Sequence, residues 1–213
     1  MTNITIIGSG NMARGIGTRA VVAGSGLQIL DRDPAKAASL AAELGAEVTS
    51  GTLESPLAGD IVVLALPFDA AKEVVTTLGA ALSGKTVIDI TNPVDFSTFD
   101  SLVVAPGTSA AEELAALAAP GATIVKAFNT TFAGALVAGT AAGLPLDVFI
   151  ASDSDEANAA VSAFVTAAGQ RPIVVGPLRR ARELEGFQFL VMTLQANPAF
   201  EDFNWNTSLK VLV

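Results

Sequence analysis

The residues best placed to do chemistry lie between Gly8 and Arg32. Gly8, Ser9, Gly10, Asn11 and Met12 form a glycine-rich turn between an apolar run, Asn3–Ile7, and a helix-like segment from about Met12 to Ala23. Gly8 permits a tight turn out of a strand, and Gly10 lets the backbone approach a pyrophosphate with no side chain in the way. Ala13, third in the pattern, is small enough to let the helix pack closely on the strand. A helix that begins there offers unpaired N–H groups and a partial positive charge to phosphates. Asp31 closes the second apolar run, about 20 residues on, where a carboxylate can hold ribose hydroxyls. The expected chemistry is dinucleotide binding. Asp31 suits the free 2′- and 3′-hydroxyls of NAD, whereas a guanidinium at Arg32 suits the 2′-phosphate of NADP. The pair leaves both cofactors open.

Other loops support this site. Leu66, Pro67 and Phe68 form a rigid apolar turn able to flank a nicotinamide ribose. Thr91, Asn92 and Pro93 follow one later apolar run, and Phe128, Asn129 and Thr130 follow another. Each loop alone is also ordinary turn chemistry. Their recurrence at strand ends on one edge makes them candidates for a site. The chain has no histidine, tyrosine or cysteine, which removes the commonest general acid–base and the thiolates. No catalytic residue is therefore assigned. Stacking two redox rings at near-contact distance needs none. Reducing a ketone or imine would need a placed proton donor, for which Lys126, Asp95 and Glu185 are the candidates, with Phe203 and Trp205 walling the pocket.

Those loops need a scaffold, and the pattern supplies one. Strand-like runs at 27–30, 60–66, 86–90, 122–127, 147–151 and 171–175 alternate with helical segments at 34–44, 70–82, 109–118 and 154–168. Such β–α alternation predicts a doubly wound, mostly parallel Rossmann sheet in the α/β class. Residues 1–176 would form the NAD(P)-binding domain. Residues 177–213 would add a short helical extension, Leu178–Gln195, and an aromatic tail. That helix carries Leu184, Phe187, Leu190, Val191 and Leu194 at helical spacing. Packing on the sheet accounts for part of the stripe, and a two-fold contact in a homodimer for the rest.

Composition narrows the partners. At 213 residues with 51% hydrophobic and 15% charged residues, the chain can bury a large core. A formal net charge of −9 argues against a nucleic-acid surface. No apolar run reaches the length of a membrane span, and the first strand begins too early for a signal peptide. The expectation is a cytoplasmic protein acting on a small-molecule redox substrate.

Several motifs together resemble the NADPH-dependent deazaflavin (coenzyme F420) reductases, a family related to pyrroline-5-carboxylate reductases and to the soluble domain of membrane ferric reductases. They are IIGSGNM at Ile6–Met12, DR at Asp31–Arg32, ALPF at Ala65–Phe68, DITNP at Asp89–Pro93, VKAFNT at Val125–Thr130 and GPLRRA at Gly176–Ala181. The resemblance implies hydride transfer between a nicotinamide and a second planar ring, with coenzyme F420 as the second substrate. It implies that Ser9, Asn11, Asp31 and Arg32 contact the nucleotide, and that Ala65–Phe68 line the nicotinamide end. Phe128–Thr130 and the helix from Leu178 would face the second ligand. The readings left beside it are a reductase of a small imine or carbonyl and a non-catalytic NAD(P) sensor.

Overall fold

The computed structural model describes residues 2–203, 205 and 207–212. In chain order the elements are β1 (Asn3–Ile7), α1 (Asn11–Val22), β2 (Gly26–Leu30), α2 (Pro34–Leu44), β3 (Thr49–Gly51), β4 (Ile61–Leu64), α3 (Phe68–Leu78) and β5 (Thr86–Asp89). There follow α4 (Ala110–Leu117), β6 (Thr123–Ala127), α5 (Ala133–Ala138), β7 (Thr140–Ala141), β8 (Leu144–Pro145), β9 (Asp147–Ala151), α6 (Asp155–Ala167), β10 (Arg171–Gly176) and α7 (Ala181–Ala196). Local chemistry starts several helices. Pro34 sits in the first turn of α2, and the Asp33 carboxylate accepts from the N–H groups of Ala35 and Lys36. Ser109 and Ser154 cap α4 and α6 in the same way.

Eight strands form one sheet in the order β10-β9-β6-β5-β4-β1-β2-β3. From β3 to β6 every pair is parallel, which is the Rossmann order. Alternation within each strand splits the core. Ile61 and Val63 pack with Ala13, Ile16 and Ala20 of α1, Leu40 of α2, Leu136 of α5 and Phe164 of α6. Val62 and Leu64 face the other way, toward Val75 of α3, Leu114 of α4, and Leu178 and Ala181 at the start of α7. The α1–α5 contact is close enough that a Cβ on Gly15 would lie 2.8 Å from Leu136 Cβ.

The sheet departs from full parallelism at one edge. β9 runs antiparallel to β6, and β10 runs parallel to β9. The chain between β6 and β9 carries only the short α5 and a small β7–β8 hairpin, so it returns alongside β6 instead of crossing over a face. Three other details depart from the expected pattern. β3 is a three-residue edge strand of Thr, Ser and Gly with no apolar run. α3 begins at Phe68, directly after Pro67, two residues ahead of the expected start. A 3-10 turn at Leu178–Arg180 precedes α7.

Gln195 Oε1 accepts from the Trp205 N–H at 2.8 Å and the Thr207 hydroxyl at 3.1 Å, and the end of the C-terminal tail beyond them is held by one carboxylate. Asp147, the first residue of β9, accepts from Arg171 Nε at 2.7 Å, Lys210 Nζ at 2.6 Å and the Val211 N–H at 2.8 Å. Its side chain has no solvent exposure. Burial pushes its carboxyl up, but Arg171, Lys210 and the Val211 N–H outweigh that and bring it down to about 2. A depressed carboxylate stabilises the fold above its ordinary value of 3.8 and loses that contribution as pH falls toward about 2. Over that window the contribution is about 2 kcal/mol. Trp205, the sole tryptophan, lies in this tail and reports its release. Its emission is expected to shift between pH 4 and 2, roughly the window set by those two values. In Asp147→Asn the shifted emission is expected already at neutral pH.

Candidate active site

The glycine turn is shaped by three strand ends. Gly8 has φ +112°, and a Cβ there would meet the Ala65 carbonyl oxygen at 2.4 Å. Its N–H donates to Leu30 O at 2.7 Å, which fastens the turn to the end of β2. Gly10 is the N-cap of α1 and has no side chain to cap it. The first N–H groups of α1 therefore have no intrahelical acceptor. A Cβ on Gly10 would meet nothing within 4 Å, so open space lies where a phosphate would approach those groups. This cradle fits a dinucleotide pyrophosphate. Asn11 and Met12 open the helix, and the Asn11 Oδ1 accepts from Arg14 Nη1 at 3.0 Å.

Asp31 extends just past β2. Its Oδ2 accepts from Ser9 Oγ at 2.6 Å and its Oδ1 from the Asp33 N–H at 3.0 Å. The carboxylate thus ties the glycine turn to the start of α2. A hollow of about 660 Å³ beside it is lined by Gly8, Ser9, Gly10, Asp31, Arg32, Lys36, Leu66, Pro67 and others. Lys36 lines the same hollow, although no motif marks it. Pro34 fixes the start of α2, and helical side chains tilt toward the N-terminus, so a lysine in the first turn reaches back to the strand end. Among the described residues neither Arg32 nor Lys36 makes an ion pair.

A second hollow of about 600 Å³ continues on the far side of Gly10. Its wall includes Asn11, Met12, Leu66, Pro67, Phe68, Asn92, Asp95, Phe96, Val103 and Met192. Asn92 and Asn129 are joined reciprocally: Asn129 Nδ2 donates to Asn92 Oδ1 at 3.0 Å, and Asn92 Nδ2 to Asn129 O at 2.9 Å. Asn92 reaches the wall, whereas Asn129 is buried and also donates to Leu184 O on α7. Phe128 makes this possible with a left-handed φ of +62°, rare for a bulky residue. Its ring is fully buried, 5.9 Å from that of Phe164. Phe96, Val103 and Met192 had no motif to mark them. Trp205 lines a third hollow with Asn11, Met12 and Arg14, its ring edge-on to Phe132 at 5.7 Å. Phe203 instead packs beside Phe200 at 6.0 Å.

The three candidate proton donors separate clearly. Lys126 has no solvent exposure; its Nζ donates to Asp89 Oδ2 at 2.8 Å and Thr91 O at 2.6 Å and pairs with Glu185 Oε1 at 2.7 Å. Glu185 also accepts from the Ala110 N–H at 2.9 Å, at the start of α4. Burial pushes the Glu185 carboxyl up, opposed by Lys126. Both residues are structural, sealed from the hollow. Asp95 does reach the wall, but hydrogen bonds from Ser97 and Thr98 hold its carboxyl below the usual range. It is a carboxylate near neutrality and a poor proton donor. Among the described residues no cluster of His, Cys, Asp or Glu could hold a metal ion, and no helix is long and apolar enough to cross a membrane.

Known proteins place this geometry. Residues 3–93 match the family model described as NADP oxidoreductase, coenzyme F420-dependent. The chain is 28% identical over 200 residues to the F420-dependent NADP reductase of Methanothermobacter marburgensis, covering 88% of this chain and 89% of that one. It is 35% identical over 182 residues to the metalloreductase STEAP3 of Rattus norvegicus, covering 85% of this chain but only 35% of that longer protein. A solved structure from Arthrobacter sp. FB24, provisionally assigned as an F420-dependent NADP reductase, superposes with a TM-score of 0.80 at 25% identity, covering 92% of this chain and 94% of the other. The chain resembles the coenzyme F420-dependent NADP oxidoreductases, with the family model matched over residues 3–93.

Proposed function

We propose that this protein transfers hydride between NADP and a deazaflavin or flavin-like ring. The observation that carries the proposal is the ordering of one trough along the carboxyl edge of the sheet. Two cations, Arg32 and Lys36, stand at one end, the uncapped start of α1 lies in the middle, and an apolar hollow closes the other end. Arg32 and Lys36 would hold a 2′-phosphate, two cations set against the carboxylate of Asp31, already engaged by Ser9 and the Asp33 N–H, and that of Glu73 on the same wall. The α1 N–H groups would receive the pyrophosphate. Pro67, Phe68 and Asn92 would orient the nicotinamide and keep water from it. When bound, reduced nicotinamide supplies a hydride to the acceptor ring, and a proton from solvent completes the reduction.

Two further readings weigh less. An imine or carbonyl reductase needs a proton donor, and the carboxylate of Asp95 is ill suited to that task. A sensor would bind nucleotide without turnover. A cytoplasmic homodimer is the proposed form, with Phe187 and Leu190 on the outer face of α7 exposed for a two-fold contact. Nucleotide binding followed by fluorescence tests the cofactor, and adding an oxidised deazaflavin or flavin tests the reaction. NADPH is expected to bind more tightly than NADH and to be oxidised. Arg32→Ala with Lys36→Ala should weaken NADPH by about tenfold or more and leave NADH nearly unchanged. Tight nucleotide binding with no oxidation by any deazaflavin or flavin would overturn the proposal in favour of a sensor.

A further inference from the structure

We propose that the acceptor ring stacks on Phe96, and that Asp95 beside it selects acceptors without an anionic tail. The inference rests on the hydride-transfer reading only for the word acceptor; its physical basis is the loop between β5 and α4. Residues 90–109 form a connection far longer than the roughly 2–6 residues usual in such units, and long ordered loops are commonly functional. This loop is tightly held. Val94 bridges Leu102, the Asp95 N–H donates to Ser101 O at 2.9 Å, and the Val103 N–H donates to Pro93 O at 2.7 Å. Phe99 is fixed with a left-handed φ of +55°, which a bulky residue adopts only when its surroundings impose it.

The outcome is an aromatic ladder with one open end. Phe99 lies 6.2 Å from Phe189 of α7 on one side and 6.2 Å from Phe96 on the other. Phe96 is 68% exposed and lines the apolar hollow. A large ring left in solvent beside Phe99, which is itself packed against Phe189, is a platform for a further planar ring. A second observation points to a ligand in the same hollow. Thr91, on its wall, is only 3% exposed, and its hydroxyl has no hydrogen-bond partner in the protein. The carbonyl and N–H edge of a flavin or deazaflavin is the kind of group that would satisfy it.

Charge at this end is the reverse of that at the nucleotide end. Among the described residues, the charged ones on the wall are Asp69 and Asp95. Two cations lie nearby and both are engaged. Lys72 pairs with Asp69 at 2.8 Å, its ammonium 4.3 Å from the centre of the Phe68 ring, and Arg14 pairs with Glu43 at 2.7 Å. Asp95 has no cationic partner among the described residues; its oxygens are held by Ser97 and Thr98. A phosphate or carboxylate tail leaving a ring on Phe96 would meet this carboxylate with nothing to offset it.

Riboflavin and FMN differ by one phosphate and are the probes. Binding to the NADP-loaded protein, read by quenching of flavin fluorescence, is expected to favour riboflavin over FMN by about tenfold at low salt. The gap should narrow as salt screens the repulsion. Phe96→Ala should weaken riboflavin about fivefold and Phe96→Tyr should restore it. Asp95→Asn, which keeps an oxygen for Ser97, should bring FMN level with riboflavin. Equal binding of the two flavins, or Phe96→Ala without effect on riboflavin, overturns the inference. So does a fall in molar mass of Phe96→Ala with unchanged flavin binding, because Phe96 would then belong to a contact between copies. Riboflavin bound on Phe96 without any NADPH oxidation overturns the hydride-transfer reading and supports this one.

Discussion

Lys126→Met is expected to destabilise the protein by about 3–5 kcal/mol, the cost of leaving a buried charge without its partner. The ammonium is the only cation in an enclosure that also holds the carboxylates of Asp89 and Glu185, and none of the three side chains is exposed. Removing it strands two acids in a low-dielectric site. Methionine fills most of the same volume, so little of the loss comes from a cavity. Denaturant unfolding measures the effect, and its pH dependence identifies the cause. Burial already raises the Glu185 carboxyl, with Lys126 opposing. A carboxyl raised in the folded state favours the fold below its unfolded value, and that advantage fades as pH rises through the folded value. Without Lys126 the folded value rises further, so the variant should recover stability on acidification toward about pH 5, near the ordinary carboxyl value, and lose it at higher pH. A loss independent of pH would mean that packing, not charge, is what Lys126 supplies.

The second large effect falls on binding and leaves the fold intact. Gly10→Val is expected to weaken NADPH by about tenfold to a hundredfold, the value of one or two charge-assisted hydrogen bonds. Gly10 has an ordinary φ of −79°, and its Cβ would project into open space between the two hollows. The added methyls would stand where the pyrophosphate must approach the start of α1. Thermal unfolding of the free protein should be nearly unchanged, whereas fluorescence titration with NADPH should show the loss. The neighbouring Gly8 offers the contrast. Its positive φ and the Ala65 carbonyl 2.4 Å from any Cβ mean that even alanine there disturbs the fold itself. Unchanged NADPH affinity in Gly10→Val would place the phosphates elsewhere.

The glycine turn and the hollow beside it were legible because their determinants are local. Gly8, Gly10 and Asp31 act through backbone shape and through a strand end whose position follows from β–α alternation. Lys36 was equally local, readable from Pro34 and the tilt of helical side chains, and was missed for want of that step. The acceptor end was legible only in part, at Leu66–Phe68, Thr91–Pro93 and Asp95, because the rest of its wall is assembled from distant segments. Phe96 belongs to a loop without periodicity, Met192 to a helix far along the chain, and only folding sets them on one wall. Lys126 was ambiguous for a different reason. A lone charge in an apolar run signals either a ligand contact or a buried ion pair, and sequence does not show that Asp89 and Glu185 converge on it. The antiparallel β9 was hidden too, since a strand reads the same in either direction.

The reach of Glu185 has a bearing on how the chain is made. Its carboxylate serves the first N–H groups of α4 and the ammonium of β6, both far earlier in sequence. As the polypeptide leaves the ribosome, the nucleotide half of the sheet can assemble while α4 still lacks this acceptor and Lys126 has one carboxylate in place of two. Only when α7 emerges and docks is that enclosure closed, and the same docking brings Met192, about two turns further along the helix, to the acceptor wall. Completion of the core and completion of the site are thus one event, set by the docking of α7.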